Sequence, residues 1–165
     1  MRVFIVIAAL LALYSYSPKI NYSIEIYLPD TSNVNSGGIA PTEFIILKEH
    51  LPEMPFINDE GIEQFDTANF KITFSKEAAA KIKTLKPGLA KGIPFVLAVD
   101  REPVLSGYFI NTFSSVGCRA YVLNTRDRVQ RLTKGLPEHY YEGLIAERRN
   151  SSIFIQALER TGRLK

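Results

Sequence analysis

Ile93-Pro94-Phe95-Val96-Leu97-Ala98-Val99-Asp100-Arg101-Glu102-Pro103-Val104-Leu105-Ser106-Gly107-Tyr108-Phe109-Ile110 is the stretch that decides the fold. Two apolar runs flank the polar Asp100-Arg101-Glu102. That pattern predicts two strands joined by a tight turn, a β-hairpin.

Upstream, Phe70-Lys71-Ile72-Thr73-Phe74 alternates apolar with polar and reads as a strand. Ser75 then precedes Lys76-Glu77-Ala78-Ala79-Ala80-Lys81-Ile82-Lys83-Thr84-Leu85. Ser is a good N-cap and Ala the best helix former, so a helix is expected here, stopped by Pro87-Gly88. Further back, Tyr22 to Leu28 alternates as a half-buried strand, and Thr31 to Pro41 is a loop rich in Ser, Asn and Gly. Phe44-Ile45-Ile46-Leu47, within Glu43 to Lys48, predicts a strand covered on both faces. Leu51-Pro52-Glu53-Met54-Pro55 punctuates the chain, and Asn58 to Phe65 reads as one helical turn leading into a strand.

Downstream, Arg119 to Leu123 predicts another strand. Beyond Asn124 the pattern suggests helices: Thr125 to Lys134 with Gly135 as a stop, a segment from Pro137, and Ser152 to Thr161 before Gly162. The expected fold class is therefore α+β: one mixed or antiparallel sheet with helices on one face and a helical C-terminal region from about residue 125. No linker divides residues 18–165, which fit one domain.

Residues 1–17 read differently. Arg2 is followed by twelve uncharged residues, Val3 to Tyr14, then by Ser15 and Ser17. A basic start, a short apolar core and small residues make a signal peptide. The expected location is periplasmic or secreted, with a membrane anchor as the alternative if the segment is not cleaved. The run falls short of the ~20 residues that span a bilayer.

Composition narrows the chemistry. Apolar residues make up 46% and charged residues 22%, near globular averages, which disfavours disorder and a polytopic membrane protein. From Arg119 to Lys165 there are ten Lys/Arg against five Asp/Glu, while the other 118 residues carry ten against twelve. A basic C-terminal region of this kind can meet anionic lipid or simply form a solvated face. No nucleic-acid motif accompanies it, and no nucleic-acid partner is expected. Cys118 is the only cysteine, which rules out an intrachain disulfide, and its apolar setting predicts a buried structural thiol.

His50 and His139 have no metal-ligand spacing, so no zinc site and no cofactor are expected. A hydrolase would have to assemble Ser106, Ser114 or Ser115 with one histidine and Asp100, without a nucleophile elbow in the sequence. Asp100 and Glu102 sit in the turn and read as a solvated pair. One stretch stands out as a candidate binding surface: Tyr108, Phe109 and Phe113 with Ser114 and Ser115, aromatics and hydroxyls at the end of a strand.

The run Phe74 to Ala79, Gly92 to Asp100 and Val104 to Ile110 resembles two groups. One is a set of small exported bacterial proteins of uncharacterised function, which share a segment like Ile57 to Ile62 and a Gly107-Tyr108-Phe109 turn leading to Ser114-Ser115. The other is the head of the first periplasmic domain of the SecD translocation subunit, similar over roughly Asn58 to Asn124. The turn Asp100-Arg101-Glu102-Pro103 lacks the glycine common in the SecD turn. The resemblance implies the fold and is nearly silent on function. The functional expectation is an exported binding module for a peptide or protein of the cell envelope, adding a partner strand to a sheet edge. A secreted hydrolase and a membrane-surface protein using the N-terminal segment or the basic C-terminal region are the alternatives.

Overall fold

The computed structural model describes residues 22–30, 32, 41–89, 91–111, 113 and 117–165. The expected signal peptide of residues 1–17 lies outside them. Among these residues the chain forms a five-stranded sheet, a three-stranded sheet and three α-helices.

The decisive stretch is a hairpin, as its pattern dictates: β4 (Ile93–Val99) pairs antiparallel with β5 (Glu102–Ile110). The two turn residues, Asp100 and Arg101, have φ of 50° and 64°, the doubly left-handed turn that usually takes Asn-Gly. Contacts hold these two larger residues there. Asp100 Oδ1 accepts the Ser23 N–H at 2.8 Å, and the Arg101 guanidinium donates to the Pro52 and Glu53 carbonyls at 3.1 and 2.9 Å. The large sheet grows outward from this hairpin. β1 (Ile24–Tyr27) adds antiparallel to β4, β6 (Cys118–Asn124) adds parallel to β5, and β8 (Thr133–Leu136) adds antiparallel to β6. Gly107 permits the close β5–β6 approach, because a Cβ there would collide with the Tyr121 carbonyl oxygen.

The second sheet was not expected. β2 (Ile62–Asp66), β3 (Lys71–Phe74) and β7 (Val129–Arg131) form it in the order β2-β3-β7. The single-sheet reading failed because β7 and β8 occupy the region read as the helix Thr125 to Lys134. Val129, Gln130, Arg131 and Leu132 run exposed, buried, exposed, buried, which is strand periodicity. The chain turns between the two sheets at Leu132. Downstream the helical reading holds, with α2 (Glu138–Tyr141) and α3 (Ser152–Arg160) in place.

α1 (Lys76–Lys83) starts where its cap predicts, Ser75 Oγ accepting the Ala78 N–H at 3.0 Å. It buries Ala78, Ala79 and Ile82. These join Phe154, Ala157 and Leu158 of α3, Ile72 and Phe74 of β3, and one face of the large sheet: Ile24, Ile26, Phe95, Leu97, Phe109, Tyr121 and Leu123. Both α1 and α3 therefore pack on that one face, as expected.

The opposite face presents Tyr27, Val96, Ala98, Tyr108, Ala120 and Val122. Its cover is a strap, residues 41–51, which contributes Phe44, Ile46 and Leu51. The double-sided strand expected from Glu43 to Lys48 is absent: Phe44 and Ile46 point inward, while Ile45 and Leu47 are 86% and 53% exposed. One bridge, Thr42 to Arg119, is its only ladder contact among the described residues.

Two sheet edges are closed. Ile57 exchanges both backbone hydrogen bonds with Ile26 on the outer side of β1, at 2.9 and 3.0 Å. Arg163 and Lys165 do the same for Phe65 on β2, each at 2.9 Å. Neither edge offers a free ladder to a partner strand.

Candidate functional site

The five residues singled out in the sequence do not converge. Tyr108 and Phe109 are neighbours on β5, so the pleat sends them to opposite faces. Tyr108 is buried against Phe44, and its hydroxyl donates to the Thr42 carbonyl at 3.1 Å. Burial pushes that hydroxyl up to about 12. Phe109 lies fully buried in the other core. Phe113 is 70% exposed, with the Arg126 guanidinium carbon 4.5 Å from its ring centre. Ser114 and Ser115 lie outside the described residues.

Phe109 nevertheless leads to a concavity. Phe56 stands edge-on to it at 6.4 Å, and the outer side of Phe56 carries Lys81 Nζ 4.9 Å from the ring centre. Phe56 is part of one wall of a cleft of about 480 Å³, formed by Met54–Gly61 on one side and the first turns of α1 on the other. That volume lies within the range of about 300–1,000 Å³ typical of ligand pockets. Glu77, Ala78 and Lys81 line it from the helix, the i and i+4 positions sharing a face. Glu60 and Met54 rise from the opposite wall, Met54 being 77% exposed.

The Met54–Gly61 wall is rigidly held. Asp59 accepts the Ile24 N–H at 2.7 Å and both terminal nitrogens of Arg163 at 2.7 and 2.6 Å. Burial alone would raise this carboxyl, but the Arg163 and Ile24 hydrogen bonds and the Arg163 charge outweigh it, leaving it below the usual range. Ser75 N–H donates to the Gly61 carbonyl at 2.9 Å, tying the wall to the helix cap. Gly61 is required by close packing: a Cβ there would overlap Ile57. A fixed cleft with an aromatic and a methionine in its wall and charges on its rim is suited to adaptable apolar recognition with polar orientation. The sequence reading places Met54 in the punctuating stretch Leu51 to Pro55 and gives Phe56 no role. A methionine and a phenylalanine around Pro55 were the signal available there.

Of the hydrolase candidates among the described residues, Ser106 and Asp100 are engaged elsewhere. Ser106 Oγ donates to the Phe44 carbonyl, Asp100 receives the Ser23 N–H, and His50 and His139 are exposed. Cys118 is buried, as expected, and burial pushes its thiol up to about 12, so it stays protonated and unreactive at neutral pH. No group of three His, Cys, Asp or Glu side chains that could hold a metal ion occurs among the described residues, and no helix among them is long and apolar enough to cross a membrane.

The basic C-terminal region is largely compensated. Of its ten Lys/Arg, Arg128, Arg131, Lys134, Arg148, Arg149 and Arg163 each pair with a carboxylate. Arg149 is buried, chelates Glu147 through two nitrogens and lies 3.5 Å from the Phe70 ring centre, a structural tie.

The chain matches no family model, no curated protein and no solved structure.

Proposed function

We propose that the chain is an extracytoplasmic binding module that takes a peptide segment of a protein partner into the cleft between Met54–Gly61 and α1. The observation that carries this reading is the cleft itself, whose apolar wall of Met54, Phe56 and Ile57 is rimmed by Glu60, Glu77 and Lys81. Two carboxylates against one ammonium favour a segment that combines an apolar anchor with a basic residue. Export is the part supported by sequence alone, through Arg2 and the apolar run Val3 to Tyr14.

A displayed random-peptide library tests the proposal. Wild-type protein should enrich peptides with an aromatic or aliphatic residue next to Lys or Arg. Binding should fall at least about tenfold in the exposed double variant Glu60→Lys, Glu77→Lys, since each lost charge-assisted contact is worth roughly 1.5–3 kcal/mol. Equal enrichment by the variant would overturn the assignment.

A further inference from the structure

A second concavity lies under the strap, on the opposite face of the sheet from the α1 cleft, and its reading is independent of that cleft. We propose that it binds a free α-amino acid with a branched apolar side chain. β5 pairs with β6 only over Gly107–Ile110, so its first half has a ladder partner in β4 alone. Between that half and the strap is a cavity of about 140 Å³. Phe44, Ile46, Val96, Val104 and Leu105 form its apolar lining, none of them more than 7% exposed. A cavity of about 150 Å³ with such walls accepts a benzene-sized apolar group, so a leucine-sized side chain fits.

The same cavity is lined by one anion and one cation, Glu43 and Arg148. They form a loose ion pair, Arg148 Nε to Glu43 Oε1 at 3.5 Å, with the side chains 49% and 30% exposed. Apart from this ion pair, the Arg148 guanidinium makes no hydrogen bond among the described residues. Arg148 starts from a fixed point, because its N–H donates to the Tyr121 hydroxyl at 2.7 Å and that hydroxyl donates to the Ala146 carbonyl at 2.6 Å. The guanidinium fork matches a carboxylate, and Glu43 beside it matches an ammonium. A zwitterion with an apolar side chain satisfies all three features. A fatty acid or an amine leaves one charge unmatched.

The test is a methyl-resolved NMR titration of the whole protein with L-leucine. Methyl signals of Val96, Val104 and Leu105 should move and saturate, while those of Leu158 on α3, which does not line the cavity, stay still. Arg148→Ala should weaken binding about tenfold and Arg148→Lys should recover part of it, as expected for a charge-assisted contact. Glu43→Gln is the second variant should Arg148→Ala perturb the fold. N-acetyl-L-leucine and 3-methylbutylamine, each missing one charge, should bind about tenfold more weakly. No methyl shift at about 10 mM L-leucine, or unchanged affinity in both Arg148→Ala and Glu43→Gln, overturns the proposal. Equal binding of N-acetyl-L-leucine overturns it too, since the occupant would then be a peptide C-terminus.

Discussion

The two faces of the five-stranded sheet are covered by opposite means. On one face lie α1, α3 and the small sheet, elements whose backbone groups are paired within helices and ladders, and one continuous core results. On the other lies a strap with one ladder bridge, held chiefly by side chains of the hairpin beneath it. Ser106 donates to the Phe44 carbonyl, Tyr108 to the Thr42 carbonyl, and Arg101 to the Leu51 carbonyl at the end of the strap and to those of Pro52 and Glu53 just beyond it. A backbone that runs over a sheet without joining it still needs hydrogen-bond partners. Here hydroxyls and a guanidinium supply several of them, and the imperfect fit leaves the cavity under the strap. The helical side has its concavity at an element boundary instead, where α1 meets Met54–Gly61.

Mutation of one large aromatic under each cover gives the largest effect. Phe109→Ala, in the laddered core, should cost about 3–5 kcal/mol in denaturant unfolding. Phe44→Ala should cost clearly less, because a strap with few backbone bonds can settle into the space. Equal losses would break the contrast.

A smaller effect should appear in acid, at the closed edge of the helical side. Asp59 has a depressed folded value, so its contribution is complete above the ordinary carboxylate range of about 4 and is lost as pH falls through the lower folded value. Unfolding free energy measured from neutral pH down to about 3 should therefore fall less steeply in Asp59→Asn than in the wild type. An identical slope would mean that the Arg163–Asp59 tie contributes nothing.

The smallest effect sharpens the strap side. Tyr108→Phe removes one hydroxyl from the Thr42 carbonyl and should cost about 0.5–1.5 kcal/mol. Hydrogen exchange should speed up at the Glu43 amide, which bonds to the Arg119 carbonyl at 2.8 Å, and stay unchanged in β4. Faster exchange throughout β4 would show that the strap and the sheet open together.

Where sequence reading succeeded, the signal was local. The Ser75 cap, the alanine-rich helix and the Asp100-Arg101-Glu102 turn announce themselves through neighbours in the chain. Where it failed, the deciding partner was distant. Val129 to Arg131 forms a strand because β3 is there to pair with, and Glu43 to Lys48 forms none because its one ladder contact among the described residues is the neighbouring Thr42–Arg119 bridge. The candidate surface was half-legible in the same sense. Strand alternation separates Tyr108 from Phe109 from sequence alone, and that was the available warning. Phe56 behind Phe109 is a contact between residues 53 positions apart, which no local pattern encodes.

The most direct test of the binding account is a photo-crosslinking residue placed at Met54, on the cleft wall, and separately at Tyr140, equally exposed on α2. The account predicts a discrete peptide-bearing adduct from position 54, lost in the Glu60→Lys, Glu77→Lys background, and none from position 140. Adducts of equal yield from both positions, or an adduct at 54 indifferent to the two charge reversals, would contradict it.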